Sequence, residues 1–302
     1  MTSAPPAAGD PASGDPAAGD LVTGDLVAVT TDGVRLAVQV LGPPAAPVLL
    51  LLSGQANSHQ WWDGLREPFA AHFRTVTFDY RGLGNTRLGE GSVPWRDWST
   101  SLFARDAVAV LDAVGAGTAH VYATSMGGRV AQRLAAEHPA RVGRLVLACT
   151  TPGGRHAVER GHDIRTALAQ PELAARRAAL LELMYTPAYA AAHGATSRLL
   201  GAPGLGDEAR RGHLRVSARH DAWDLLPSIT APTLVLHGGD DRMAPVANAE
   251  LLAGRIPGAE LHVYDGMRHG FFDELRDRVD ARVLAFLRDA VPELAPSPEE
   301  PR

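Results

Sequence analysis

Short apolar runs, each closed by a turn-forming residue, recur along the chain from Leu26 onward. Leu26–Val29 and Val34–Leu41 flank a turn at Thr31-Asp32-Gly33 and predict an antiparallel hairpin. Val48–Leu52 contains no polar residue and ends at Ser53-Gly54, the pattern of a strand covered on both faces. Thr75–Phe78, His120–Tyr122, Leu145–Ala148, Thr233–His237 and Glu260–Tyr264 complete a set of eight predicted strands. Between them the period changes. Phe103, Ala107, Val110, Leu111 and Val114 recur at helical spacing, and Arg129–His138 and Phe272–Asp289 also read as helices. Strands alternating with helices predict an α/β fold with a doubly wound, mainly parallel eight-stranded sheet.

From Thr151 to about Leu226 the strand signal stops. This stretch is rich in Ala, Leu, Arg and His, with helical patterns such as Leu173–Tyr185 broken at Pro187, Gly201 and Pro203. It predicts a helical cap, residues 151–226, inserted after the sixth strand into a core of residues 26–150 and 227–291. Open α/β sheets bind ligands beyond the carboxyl ends of their strands, where such an insertion emerges, so the cap is expected to act as a lid. Residues 1–25 repeat a unit ending in Gly-Asp (Gly9-Asp10, Gly14-Asp15, Gly19-Asp20, Gly24-Asp25) and offer little to bury. They read as a disordered tail, and residues 292–302 as a frayed end. The tail lacks the basic start and apolar stretch of a secretory signal. No apolar run approaches the roughly 20 residues that span a bilayer, so no membrane partner is expected.

Composition narrows the chemistry. With 45% hydrophobic and 21% charged residues, the 302-residue chain can bury a sizeable core. A net charge of −5 without a basic run gives no reason to expect nucleic acid. The single cysteine, Cys149, excludes an internal disulfide framework and a cysteine-cluster zinc site, and suits a reducing cytoplasm. It ends a predicted strand and reads as a buried apolar residue. All 29 basic residues are Arg, which removes Schiff-base chemistry, a pyridoxal anchor and a phosphate-loop lysine. No metal-ligand spacing stands out, and no cofactor is expected. The expected partner is a small-molecule substrate, with homo-oligomer formation left open.

Ala123-Thr124-Ser125-Met126-Gly127-Gly128 lies between a predicted strand and a predicted helix. Strand, small-x-Ser-x-Gly turn and helix form the layout of a nucleophile elbow, which needs small residues where strand and helix backbones approach. A serine hydroxyl is a poor nucleophile at neutral pH and needs a base. Histidine can take the proton and return it to the leaving group, and a carboxylate fixes the imidazole tautomer. Asp240 and Asp241 both follow the Thr233–His237 strand, and His269 follows the Glu260–Tyr264 strand. Among the 12 histidines, His156, His162, His193, His213 and His220 fall in the insertion and read as surface or cap residues.

From about Leu26 to Ala290 the chain resembles the α/β-hydrolases. Four blocks carry the likeness: Leu52-Ser53-Gly54-Gln55, Asp79-Tyr80-Arg81-Gly82-Leu83-Gly84, the elbow at Ser125, and the late acid and histidine. Their order, Ser then Asp then His, is the order of that fold. Ser125–Val130 and Ala148–Gly154 are similar to the 3-oxoadipate enol-lactonase and cofactor-free haloperoxidase branches. The resemblance implies Ser125 as nucleophile, His269 as base, and Asp241, four residues before Pro245, as acid, leaving Asp240 as a turn residue. Some relatives place the acid after the preceding sheet strand, but Cys149–Gly154 offers no carboxylate there. The likeness implies an oxyanion hole from the backbone amides of Met126 and Gln55. Ser53-Gly54 stands where the family usually has His-Gly. It also implies a structural role for Asp79–Gly84, with Arg81 in loop salt bridges. Trp61 and Trp62 either line an apolar pocket or pack the first helix. The implied activity is hydrolysis of a small carboxylic ester or lactone through an acyl-enzyme. The alternatives are C–C bond hydrolysis, perhydrolysis or a lyase or cyclase step on the same triad, and a non-catalytic binding scaffold.

Overall fold

The structure, a computed structural model, describes residues 22–201 and 205–288. Eight strands make one sheet: β1 (Val22–Val29), β2 (Arg35–Gly42), β3 (Val48–Leu52), β4 (Arg74–Phe78), β5 (Ala119–Thr124), β6 (Val142–Ala148), β7 (Thr233–Gly238) and β8 (Glu260–Tyr264). They lie in the order β1-β2-β4-β3-β5-β6-β7-β8. The β1–β2 and β2–β4 pairings are antiparallel and the other five parallel, the expected mainly parallel eight-stranded sheet. The helices are α1 (Glu67–Ala70), α2 (Thr100–Ala113), α3 (Met126–Glu137), α4 (His162–Leu168), α5 (Leu173–Met184), α6 (Pro187–His193), α7 (Asp207–Ala218), α8 (Ala247–Arg255), α9 (Phe271–Glu274) and α10 (Arg276–Arg288).

Successive side chains of a strand point to opposite faces, and β3 shows why its apolar run is unbroken. Leu49 and Leu51 join a core with Trp62, Phe69, Tyr122, Val279 and Val283. Leu50 and Leu52 join the other face, with Phe103, Val110, Val121, Val130 and Leu134. Helices therefore cover both faces, and helices α4 to α7 are inserted between β6 and β7. Arg81 braces the loop after β4 as expected. It donates to Asp106 through Nε and Nη2, both at 2.7 Å, and to Asp32 at 2.5 and 2.8 Å.

Three expectations need correction. The tail expected over residues 1–25 is too long, because Val22–Asp25 pair with β2, Val22 opposite Gly42 and Asp25 opposite Gln39. Pairing with a partner strand satisfies their backbone, which composition alone does not reveal. The rest of that tail and residues 292–302 lie outside the described residues. The single helix expected over Phe272–Asp289 breaks at Leu275 into α9 and α10, with Asp289 outside the described residues. His213 and His220 are not surface residues. His213 on α7 is fully buried against Tyr80, Trp98 and Phe103, and its Nε2–H donates to the Arg81 carbonyl at 3.0 Å. His220 is buried between Thr100 and Gln132, 3.0 and 3.3 Å away. Each ring fills a gap where the inserted segment meets the core.

Candidate active site

Ser125 sits between β5 and α3 with φ 53° and ψ −118°, a backbone conformation costly for any residue but glycine. Two bonds hold it there. Its N–H donates to the Ala148 carbonyl at 2.9 Å, and the Thr150 hydroxyl donates to its carbonyl at 2.7 Å. Close approach then dictates the two glycines. A Cβ on Gly127 would lie 2.3 Å from the Leu52 carbonyl oxygen, and one on Gly128 would lie 2.6 Å from Thr150. The elbow thus abuts the end of β3, where Ser53-Gly54-Gln55 begins, and the end of β6.

Asp241 and His269 meet. Asp241 follows β7, His269 follows β8, and these strands are parallel neighbours, so both loops leave the edge that carries Ser125. His269 Nδ1 lies 2.7 Å from Asp241 Oδ2, and both side chains are buried. Asp241 Oδ1 accepts from the Met243 and Ala244 amides at 2.8 and 2.9 Å. Burial alone would push the Asp241 pKa up. The His269 and His237 imidazoles outweigh burial and hold the carboxyl well below the usual carboxylate range. An ionised acid fixes the imidazole with Nδ1–H toward it and leaves Nε2 free to accept a proton. Asp240 takes the turn role: its amide donates to the Met267 carbonyl at 2.8 Å, tying the acid loop to the histidine loop.

On the other side of Ser125, Gln55 lies in the turn after β3, next to β5 in the sheet, and Met126 is the first, buried residue of α3. The turn contains Ala56 at φ 60° and is tied down by three bonds. Ser53 Oγ donates to the Asn57 carbonyl (3.1 Å), Asn57 Nδ2 to the Gln55 carbonyl (2.9 Å), and the Gly201 amide to Asn57 Oδ1 (3.1 Å). The last of these joins the inserted segment to the candidate oxyanion loop. The two tryptophans separate. Trp62 is a core residue, its ring 5.2 Å from Tyr122 in a cluster with Leu49, Leu51 and Phe69. Trp61 packs against Gly54 and Phe272 and lines a cavity of about 170 Å³ with Leu65, Tyr189, Leu199, Asp273 and Arg276. None of Ser125, Asp241 or His269 lines it, so this space flanks the oxyanion loop instead of covering the serine.

Two residues at the site escaped sequence reading. His237 lies 3.3 Å from Asp241 Oδ2, and its signal was a histidine closing the apolar run Leu234-Val235-Leu236. Asn57 carried no signal, since a polar residue in a polar turn is unremarked. Cys149, at φ 46°, is buried, and burial pushes its thiol well above the ordinary range, so it stays protonated and is no competing nucleophile. Among the described residues no cluster of His, Cys, Asp or Glu could hold a metal ion, and no helix is long and apolar enough to cross a membrane.

Known proteins share both sequence and architecture with this chain. A rhodomycin D methylesterase of Streptomyces sp. strain C5 is 28% identical over 302 residues, covering 87% of this chain and 98% of that protein. A 2-hydroxy-6-oxononadienedioate/2-hydroxy-6-oxononatrienedioate hydrolase of Burkholderia vietnamiensis is 30% identical, with 87% and 94% covered. Among solved structures, an esterase from Rhodococcus sp. ECU1013 is 27% identical and superposes with a TM-score of 0.73, covering 88% of this chain and 98% of its own. The family described as serine aminopeptidase, S33, matches residues 43–276. The chain is a hydrolase of the α/β-hydrolase fold and belongs to that family.

Proposed function

We propose that this hydrolase cleaves a small carboxylic ester or lactone through an acyl-enzyme on Ser125. The observation that carries the reading is the buried His269–Asp241 pair, 2.7 Å apart, on the sheet edge where the strained Ser125 turn emerges. In this reading Ser125 Oγ attacks the substrate carbonyl carbon while His269 Nε2 takes its proton. Collapse of the tetrahedral intermediate breaks the C–O bond, and the alcohol leaves with the proton from His269. Water, deprotonated by His269, then attacks the acyl carbon, and the acid is released with Ser125 reprotonated. The amides of Gln55 and Met126 are the proposed donors to the carbonyl oxygen as it gains charge. One such donor is worth about 3 kcal/mol of barrier. A relative named as a methylesterase and a structural neighbour named as an esterase support ester chemistry.

Ser125→Ala is expected to lower kcat on short p-nitrophenyl esters by about 10⁴-fold or more and to abolish labelling by a fluorophosphonate probe. Stoichiometric labelling of the variant would identify another nucleophile and overturn the assignment. The same triad acting on a C–C bond is the second reading, supported by the relative named as a dienedioate hydrolase. Probe labelling of Ser125 without turnover of any ester in the panel would favour it.

A further inference from the structure

His237 is wholly buried near the end of strand β7, four residues before Asp241, and the proposed reaction gives it no part. Its Nε2 lies 2.7 Å from the Ala244 carbonyl oxygen and 3.3 Å from Asp241 Oδ2. A carbonyl oxygen only accepts, so Nε2 carries the hydrogen. That N–H donates to the carbonyl, and the carboxylate oxygen lies beside it. The other ring nitrogen, Nδ1, is buried without a partner, which leaves the neutral Nε2–H tautomer as the form the site accommodates.

Three hydrogen bonds and one close polar contact therefore surround Asp241. The Met243 and Ala244 amides fix Oδ1, while the two imidazoles meet at Oδ2. We propose that His237 is a positioning residue of the Asp241–His269 relay, its Nε2–H pinning Oδ2 toward His269 while drawing charge from the oxygen that His269 uses. The backbone amides alone would fix one oxygen and leave the carboxylate free to swing about it. His237 blocks that motion, because its Nε2–H is anchored to Ala244 in the loop that carries Asp241 and stands 3.3 Å from Oδ2. Drawing charge from Oδ2 also weakens its pull on the His269 proton. Removing the donor is therefore expected to make the carboxylate a stronger acceptor and His269 easier to protonate.

Other groups bear on the same carboxylate. Arg160, from the loop before α4, and the Cys149 thiol at the end of β6 each interact electrostatically with Asp241. Both stay in place in a His237 variant, so a change in pH dependence on substitution reports His237 itself. This inference rests on the proposed Ser125–His269–Asp241 relay, which Ser125→Ala tests separately.

The test has two arms. In the first, the pH profile of kcat/KM is measured for wild type, His237→Phe and His237→Gln. His237→Phe removes the donor and keeps the bulk. It is expected to lower kcat about tenfold and to move the acid limb to higher pH by about half a unit or more. His237→Gln restores an N–H donor and is expected to recover much of both. An unchanged limb in His237→Phe, or a Gln variant no better than Phe, would make His237 a space-filler and overturn the proposal. The second arm needs no substrate and no variant. Nitrogen NMR of the ring-labelled wild-type protein is expected to show His237 with a protonated Nε2 and a bare Nδ1. An Nδ1–H tautomer would leave no ring hydrogen facing Asp241 and sink the idea even if every variant failed to fold.

Discussion

Helices α5 and α7 come from the same inserted segment and are held in opposite ways. In α7, Ala209, Gly212, His213, Val216 and Ser217 are buried, and Ala209 and Val216 belong to the main core with Tyr80, Trp98 and Phe103. In α5 only Leu183 and Met184, at its last turn, are buried, while Leu173 at its start is 71% exposed. Yet α5 touches the candidate chemistry more directly. The carbonyls of Leu183 and Met184 accept from the His269 and Gly270 amides at 3.3 and 2.7 Å. Arg268, the residue before His269, donates to the carbonyls of Glu182 and Tyr185. One helix supplies cohesion and the other supplies placement. Free energy of attachment and leverage over a site need not reside in the same element.

Acid offers the strongest way to break this contrast. Burial pushes the His213 pKa down to about 4, and the hydrogen bond to the Arg81 carbonyl only partly offsets it. The unfolded chain binds a proton at about pH 6.5 and the folded protein resists it until about pH 4. Stability is therefore complete above pH 6.5 and falls with pH, by about 3 kcal/mol once pH 4 is reached. His220, whose pKa burial also depresses, acts in the same direction. His213→Gln keeps a donor for the Arg81 carbonyl and does not titrate. Urea unfolding between pH 7 and 4 is expected to show a shallower fall for the variant. Parallel curves would mean that α7 releases its histidine cheaply and is no more welded to the core than α5.

This division inside the insertion was invisible in the sequence. The centre of the sheet was legible because its strands are buried on both faces, so runs such as Val48–Leu52 and Thr233–His237 announce themselves without any partner. The elbow was legible because close packing forces Gly127 and Gly128 into a fixed pattern around Ser125. The candidate acid and base loops were legible from their place after β7 and β8, while the choice of Asp241 over Asp240 came from the family resemblance. The insertion lacks such rules. Its helices pack on surfaces made by distant residues: α5, rich in Ala and Leu, buries only its last turn, while α7, richer in charge, is the better buried. His213 reads as a cap histidine until Tyr80, Trp98 and Phe103 are known to enclose it. The link from Asn57 to Gly201 spans 144 residues and has no local signature.

Truncation at matched apolar positions sharpens the contrast. Val216 on α7 is fully buried, so Val216→Ala removes buried methyl groups and leaves a void, at a cost of about 2 kcal/mol. Leu173→Ala on α5 removes more side chain from a mostly exposed position and is expected to stay within about 0.5 kcal/mol of wild type. Denaturant midpoints at one pH give both values. A large loss in Leu173→Ala would show that α5 is packed in solution along its whole length.

The smallest stability effect with a visible functional one is expected at the α5 end. Arg268→Met keeps the apolar stem but removes the guanidinium that grips the Glu182 and Tyr185 carbonyls. Its side chain is half-buried and its partners are neutral, so the melting temperature is expected to shift by no more than about 2 °C. The histidine loop would then be tied to α5 by backbone bonds alone, one of them the long 3.3 Å contact from the His269 amide to the Leu183 carbonyl. In the proposed mechanism His269 receives the serine proton, so its looser placement is expected to lower kcat about tenfold with KM little changed. Hydrogen exchange at the His269 amide should quicken in step. If kcat holds while that exchange quickens, the clamp is only a fastening for the cap. If kcat falls together with a melting loss like that of Val216→Ala, α5 serves cohesion as α7 does, and the contrast between the two helices fails.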